Sequence, residues 1–204
     1  MSYIPFLIAA LALAITPGPG ITYVVARTVS GGRAEGLASC MGTAIGGLLH
    51  VIASSLGLSV LIAKSAIFFS LLKYLGAAYL IYLGIRLLLS KGPDALIEPL
   101  NPQGPRRALM EGIVVEALNV KTALFFLAFL PQFVRPDAPL ITQLAVLGII
   151  CVTLNTVADA LAVIGAHHLL ESSMARATKA RWMTRTSGVT MLGLGAYLAS
   201  AQRN

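Results

Sequence analysis

Charge is scarce in this chain: of 204 residues, only 11% are Asp, Glu, Lys or Arg, against about 25% in an ordinary soluble domain. A water-soluble globule is excluded. The charge that is present is mostly basic, giving a net +7, but it falls between apolar blocks instead of forming the solvated basic face that a nucleic acid requires. There are only two cysteines, Cys40 and Cys151, each inside an apolar run with no CxxC or Cys/His spacing. Neither a disulfide framework nor a zinc site is indicated, and both read as packing residues. Also missing are a Gly-rich phosphate loop, a nucleophile beside a base, and any metal-ligand spacing. The expectation is therefore no enzyme, no cofactor and no metal.

Apolar length is what the chain has in abundance, with 57% hydrophobic residues and a mean hydropathy of +0.83. A membrane helix needs about 20 mostly apolar residues. Six blocks meet that length: Tyr3–Ala26, Leu37–Ala63, Phe68–Leu89, Ala108–Val134, Pro139–His168 and Trp182–Ala201. The first contains Ala12-Leu13-Ala14, which resembles a signal-peptide cleavage site, yet no basic residue precedes it and the apolar run continues beyond it. It reads as a span. Ten of the fifteen basic residues fall on one side of this arrangement: Arg27, Arg33, Arg86, Lys91, Arg106, Arg107, Arg176, Lys179, Arg181 and Arg185. By the positive-inside rule that side is cytoplasmic and both termini are periplasmic. Tyr3, Tyr74, Trp182 and Tyr197 fall near span ends, where interfacial aromatics belong.

Residues 91–107 form a Gly/Pro-rich cytoplasmic linker, with three spans in 1–90 and three in 108–204. An odd number of spans per half makes the second half enter the membrane from the opposite side. The expected fold is thus all-α and polytopic, six transmembrane helices as two inverted three-helix repeats. Ala14–Arg33 and Ala117–Pro136 each place an interrupted segment before an Arg-marked helix end, a weak internal likeness in keeping with that architecture.

Thr16, Pro17, Gly18, Pro19 and Gly20 interrupt the first span. Each proline lacks an N–H, so the carbonyls of Leu13 and Ile15 lose their helical donors, and the glycines let the chain bend. Such a break is tolerated only against protein or a water-filled cavity. It offers free carbonyls from one half-helix and free N–H groups from the next, a pair of ends that suits a zwitterion. A proline kink that only shapes packing is the alternative. Span four carries Glu111, Glu116, Asn119 and Lys121, and span five carries Asn155 and Asp159. A charge at the bilayer centre costs about 2.5–3.5 kcal/mol on insertion scales, which makes these residues functional candidates.

Lys121 lies roughly 21 Å along a helix from Arg107, too deep to snorkel; the alternative is a helix starting near Asn119 that lets it reach the headgroups. Asn155 and Asp159 share a helix face that Val163 and His167 extend. Asp159 is a candidate to carry a proton, to pair with Lys121, or to meet a substrate ammonium. Glu111 and Glu116 read either as site groups or as interfacial partners of Arg106 and Arg107. In span two, Gly42, Gly46, His50 and Ser54 form a stripe that lets helices approach closely. His50 reads as a packing residue or a proton relay, which with Asp159 and Glu116 completes the proton-coupling candidates.

These segments resemble the LysE/RhtB superfamily of bacterial amino-acid exporters, in its threonine/homoserine/leucine exporter branch. The resemblance is carried by Thr16–Gly20 with its Pro-Gly-Pro, Gly42–Leu58, Lys73–Ser90, Asn119–Val134, Asp159 and Ser187–Ser200. The family pattern in span four is Asn-Pro-Lys, and Val120 stands in the proline position. The second break is then either milder or held open by Asn119 alone. The resemblance implies a small inner-membrane exporter of about six spans, dimeric and driven by the proton gradient. The expected function is export of amino acids or their derivatives by proton antiport. Its partners are the amino acid, protons, the bilayer and a second copy of the chain. The substrate would bind at Thr16–Gly20, Asn119, Lys121, Asn155 and Asp159. An exporter of inorganic cations, a membrane-embedded enzyme and a non-transporting assembly subunit are the rival readings.

Overall fold

The computed structural model describes residues 3–64, 66–89, 101–135 and 137–169, together with residues 185, 186, 188, 189, 191–196, 199 and 200. Among these there are no strands. The helices are α1 (Ile4–Ile15), α2 (Pro19–Lys64), α3 (Ala66–Leu89), α4 (Pro105–Ala117), α5 (Val120–Phe129) and α6 (Leu140–Leu169), with a 3-10 turn over Leu130–Phe133. The described residues between 185 and 200 are helical as well. Trp182, Tyr197, the bulk of the expected linker, and the basic residues Arg176, Lys179 and Arg181 lie outside the described residues, as does the side chain of His167.

Among the described residues, two helices are long and apolar enough to cross a membrane, over Pro19–Gly57 and Leu140–Gly165. The pair Pro105–Ala117 and Val120–Phe133 forms a third candidate span, bent by 45°. Span one is not a single helix: α1 ends at Ile15 because Pro17 and Pro19 withhold their N–H groups, and the helix restarts at Pro19, where a proline fits the first turn. The expected loop between spans one and two is instead helical. Residues 19–31 and 33–64 are arms of α2 joined at Gly32, whose φ of 74° a side chain would resist. Arg27, expected as a solvated cytoplasmic charge, is only 2% exposed.

The core splits by chemistry. Toward the start of α1 and the end of α5, Phe6, Phe125, Phe129 and Phe133 pack together, with Phe125 and Phe129 stacked at 4.9 Å and Phe6 on Phe133 at 5.5 Å. Between α2 and α4 the packing is by small residues, and the expected stripe faces α4. A Cβ on Gly42 would stand 2.2 Å from the Leu109 carbonyl oxygen, and one on Gly46 would stand 2.7 Å from that of Ile113. His50 follows on the same face and donates from Nε2 to the Glu116 carbonyl at 2.8 Å. Gly84 of α3 meets Gly188 in the same way, seating the C-terminal helical residues against α3. Many large apolar side chains, including Leu7, Ile8, Leu49, Ile52, Val157 and Leu161, face outward. In lipid, that is where they belong.

Candidate functional site

The two broken helices meet each other. Leu13, whose carbonyl lost its helical donor to Pro17, receives the Lys121 ammonium at 3.2 Å, and the Thr16 carbonyl receives it at 2.9 Å. Lys121 thereby places a positive charge at the C-terminal end of α1, the end that favours a cation. Across the break, Glu116 reaches the N-terminal end of α2, so close to Gly20 that a Cβ there would stand 2.6 Å from its Oε2. Negative charge is favoured at that end. The contact is reciprocal: the end of α1 is held from α5, and the start of α2 faces the end of α4.

The second break is built differently from the first. Asn119 is extended at φ −74° and ψ 99°, and its Oδ1 accepts from the Lys121 backbone N–H at 3.1 Å. It is an N-cap for α5, supplying by side chain what a proline would supply by ring. The same Asn119 donates from Nδ2 to Glu116 Oε2 at 2.9 Å, while Thr122 donates to Oε1 at 2.7 Å. Both oxygens of Glu116 are satisfied by neutral donors, so it is a structural keystone of the break as well as a charge.

Between the breaks lies a chamber of about 30 Å³, walled by Gly20 and Ile21 of α2, Glu116, Asn119, Lys121 and Thr122 of the bent pair, and Asn155 and Asp159 of α6. That is room for about two waters. Thr43 of α2 completes the wall and comes within 2.8 Å of Asp159 Oδ2. Thr43 also reaches the Cys40 carbonyl at 2.9 Å. Its single proton serves either contact. With Asp159 ionised, Thr43 donates to the carboxylate; with Asp159 protonated, the carboxyl donates to Thr43 and Thr43 donates to Cys40. The hydroxyl therefore satisfies both protonation states. Among the described residues, Thr43 is the only side chain hydrogen-bonded to Asp159, which leaves Oδ1 to the chamber.

Of the residues expected at the site, Gly20, Glu116, Asn119, Lys121, Asn155 and Asp159 line the chamber together. Thr16 contributes its carbonyl, while its hydroxyl turns back to Ala12 at 2.6 Å. Pro17, Gly18 and Pro19 shape the break, and Gly18 leaves space for the Lys121 ammonium, 2.9 Å from where its Cβ would stand. Lys121 is buried at 9% exposure and does not reach the headgroups. It is in none of the ion pairs among the described residues, so the alternative of a direct Lys121–Asp159 bridge is not what the structure contains. The two glutamates part company: Glu111 pairs with Arg107 as an interfacial acid would, and Glu116 does not. His50 is engaged with backbone outside the chamber wall. Sequence reasoning passed over Thr43 and Thr122. Each is a small polar residue one helical turn or less from a singled-out position, and that spacing was the available signal.

Several apolar helices enclosing a small charged chamber between two severed ones make a polytopic membrane protein whose interior, not its surface, holds the chemistry. The chain belongs to the LysE type translocator family, whose model matches residues 11–202. It is 28% identical over 201 residues to the homoserine/homoserine lactone efflux protein of Salmonella typhimurium, covering 97% of this chain and 95% of that one. An uncharacterized membrane protein of Vibrio cholerae is 29% identical over 204 residues, covering 98% of this chain and 97% of its own. The uncharacterized membrane protein YrhP of Bacillus subtilis is 36% identical over 157 residues, 72% of this chain and 73% of that one. No solved structure matches.

Proposed function

We propose that this translocator exports amino acids or close derivatives across the bacterial inner membrane in exchange for protons. Its six spans would be arranged as two inverted three-helix repeats, its termini periplasmic, its working form a homodimer. The observation that carries the reading is the reciprocal meeting of the two breaks around one chamber, with Lys121 fixed on the Leu13 and Thr16 carbonyls. An ammonium has three N–H groups. Two are committed, and the third is available to a carboxylate, beside the N-terminal end of α2 at Gly20 and Ile21. Asp159 Oδ1, with the Asn155 amide one turn away, is the partner for the ammonium of the same molecule. A zwitterion matches this pair of opposite charges, and the efflux of homoserine named for the Salmonella relative is of that class.

Asp159 is also the proton's seat. Substrate ammonium and proton compete for one carboxylate, so loading one releases the other, and Thr43 stabilises the group in either state. A chamber with room for about two waters is too small for an amino acid, and substrate binding requires it to widen. The rival cation exporter would converge several open carboxylates; here each oxygen of Glu116 already accepts a hydrogen bond, from Asn119 or Thr122.

Vesicles reconstituted with the full chain and loaded with a labelled amino-acid panel, with and without a pH gradient, test the proposal. Efflux of at least one amino acid should accelerate when protons are abundant outside. Asp159→Asn should abolish proton-driven exchange while the protein still inserts. Gradient-independent efflux, or an Asp159→Asn protein that still exchanges against protons, would remove the assigned role.

A further inference from the structure

About 10 Å along α2 from the chamber residue Gly20, by the helical rise, a second charged cluster surrounds the buried Arg27 and Glu35 and takes no part in the site above. Arg27 donates to the Tyr23 hydroxyl at 3.2 Å, the Asn101 carbonyl at 3.1 Å, Gln103 Oε1 at 2.9 Å and the Glu111 carboxylate. Tyr23 in turn donates to the Ala108 carbonyl at 2.9 Å. Glu35, from the other arm of α2, accepts from the backbone N–H groups of Gln103 and Gly104, each at 2.7 Å. Its other oxygen, Oε2, is buried with no hydrogen bond, 3.7 Å from Arg27 Nη1. Both arms of α2, the segment 101–104 and the first turns of α4 are tied at one point.

We infer that this cluster is the gate that closes the chamber toward the face bearing residues 101–107, with segment 101–104 as its strap. The inference rests on the chamber being the site of the transported molecule. Three observations converge on it. First, the two helices that wall the chamber with Gly20 and Glu116 are the two that carry Tyr23, Arg27 and Glu111 between the chamber and that face. Second, the closures are chemically unlike: the opposite end is filled by Phe6, Phe125, Phe129 and Phe133, for which water is no substitute partner. Buried ions gain hydration on opening, which offsets much of the lost pairing, so an ionic closure lies near balance between its two states. Glu35 Oε2, buried without a hydrogen bond and held only by the ion pair to Arg27, moves that balance further toward opening. Third, the positive-φ residues of the described chain are Gly32, at 74°, and Gly104, at 84°. One joins the arms that Arg27 and Glu35 belong to, and the other ends the strap. Both hinge-capable positions flank the cluster.

The test reads access to the chamber by chemistry in the full chain, reconstituted in vesicles of each orientation. In a Cys40→Ala, Cys151→Ala background, Ala44→Cys places one thiol on the chamber wall. A membrane-impermeant trimethylammonium methanethiosulfonate is the probe, and an exposed Arg106→Cys marks the face. With the cluster intact, modification of the chamber thiol is slow from both faces. Glu111→Gln and Arg27→Gln should each accelerate it at least tenfold from the Arg106 face and leave the opposite face unchanged. Rapid modification of the parent from the Arg106 face overturns the inference, as does no acceleration in either variant. Acceleration from the other face, or equally from both, overturns it too. Labelling needs no transported molecule. A chain that exports nothing in the loaded-vesicle assay can therefore still pass this test, and an active exporter can fail it.

Discussion

Gly20 and Gly42 show how differently two glycines can be required. A Cβ on Gly20 meets the tip of a side chain, Glu116 Oε2 at 2.6 Å, whereas one on Gly42 meets backbone, the Leu109 carbonyl at 2.2 Å with Gly112 behind it. The carboxylate can swing away and the backbone cannot. Gly20→Ala should therefore leave a folded protein, losing about 1–3 kcal/mol, in which Glu116 has been pushed off Asn119 and Thr122 and exchange is lost. Gly42→Ala should part α2 from α4 and cost more stability than Gly20→Ala. Thermal unfolding in detergent beside vesicle exchange checks both. Exchange at the parental rate in Gly20→Ala would show that the Glu116 position is immaterial. The candidate residues themselves were legible, because a Lys or Asp inside an apolar run is expensive wherever the chain takes it. Their partners were not. Nothing in the order of residues says that Lys121 spends its charge on the two carbonyls nearest the Pro-Gly-Pro break.

At the scale of elements, the two breaks obey one rule through different residues. The first removes donors by proline; the second satisfies them by an N-cap, with Asn119 already in the extended conformation that precedes a proline comfortably. Val120 sits at the first helical position of α5 with an exposed side chain, where proline is well tolerated. Val120→Pro should accordingly be neutral or stabilise by about 0.4–1 kcal/mol, with exchange unchanged. Asn119→Ala should cost about 1 kcal/mol for the lost cap, and more for leaving Glu116 Oε2 without its donor. A melting comparison of the two variants settles the order, and a strongly destabilised Val120→Pro would refute this account of the break. Apolar length and proline placement made the first break readable from sequence. The merging of spans one and two through Gly32 was not readable. Arg27 and Arg33 look like loop charges until tertiary contacts from 101–104 and α4 bury the first of them. Glu35, an acid among basic neighbours just past a Gly-Gly pair, was the one local hint.

For the molecule as a whole, the charge carried per turnover separates the substrates that the chamber could accept. A zwitterion leaving as one proton enters moves one net charge inward. A membrane potential of 100 mV supplies about 2.3 kcal/mol per charge, and tenfold in concentration is about 1.4 kcal/mol. The potential alone would then sustain an outward gradient on the order of forty-fold. A monocation exchanged for a proton moves no net charge and is indifferent to potential. The lactone in the name of the Salmonella relative lacks the carboxylate that Lys121 would take, and carries its ammonium alone. Vesicles clamped with valinomycin and a potassium gradient, at equal pH on both sides, distinguish the cases. If one proton enters for each molecule exported, an inside-negative potential should drive efflux of an α-amino acid and leave that of its lactone or ester, exported as the ammonium cation, unmoved. Potential-insensitive efflux of a zwitterion would mean that no proton enters in exchange for it, and would remove the proton-carrying role assigned to Asp159.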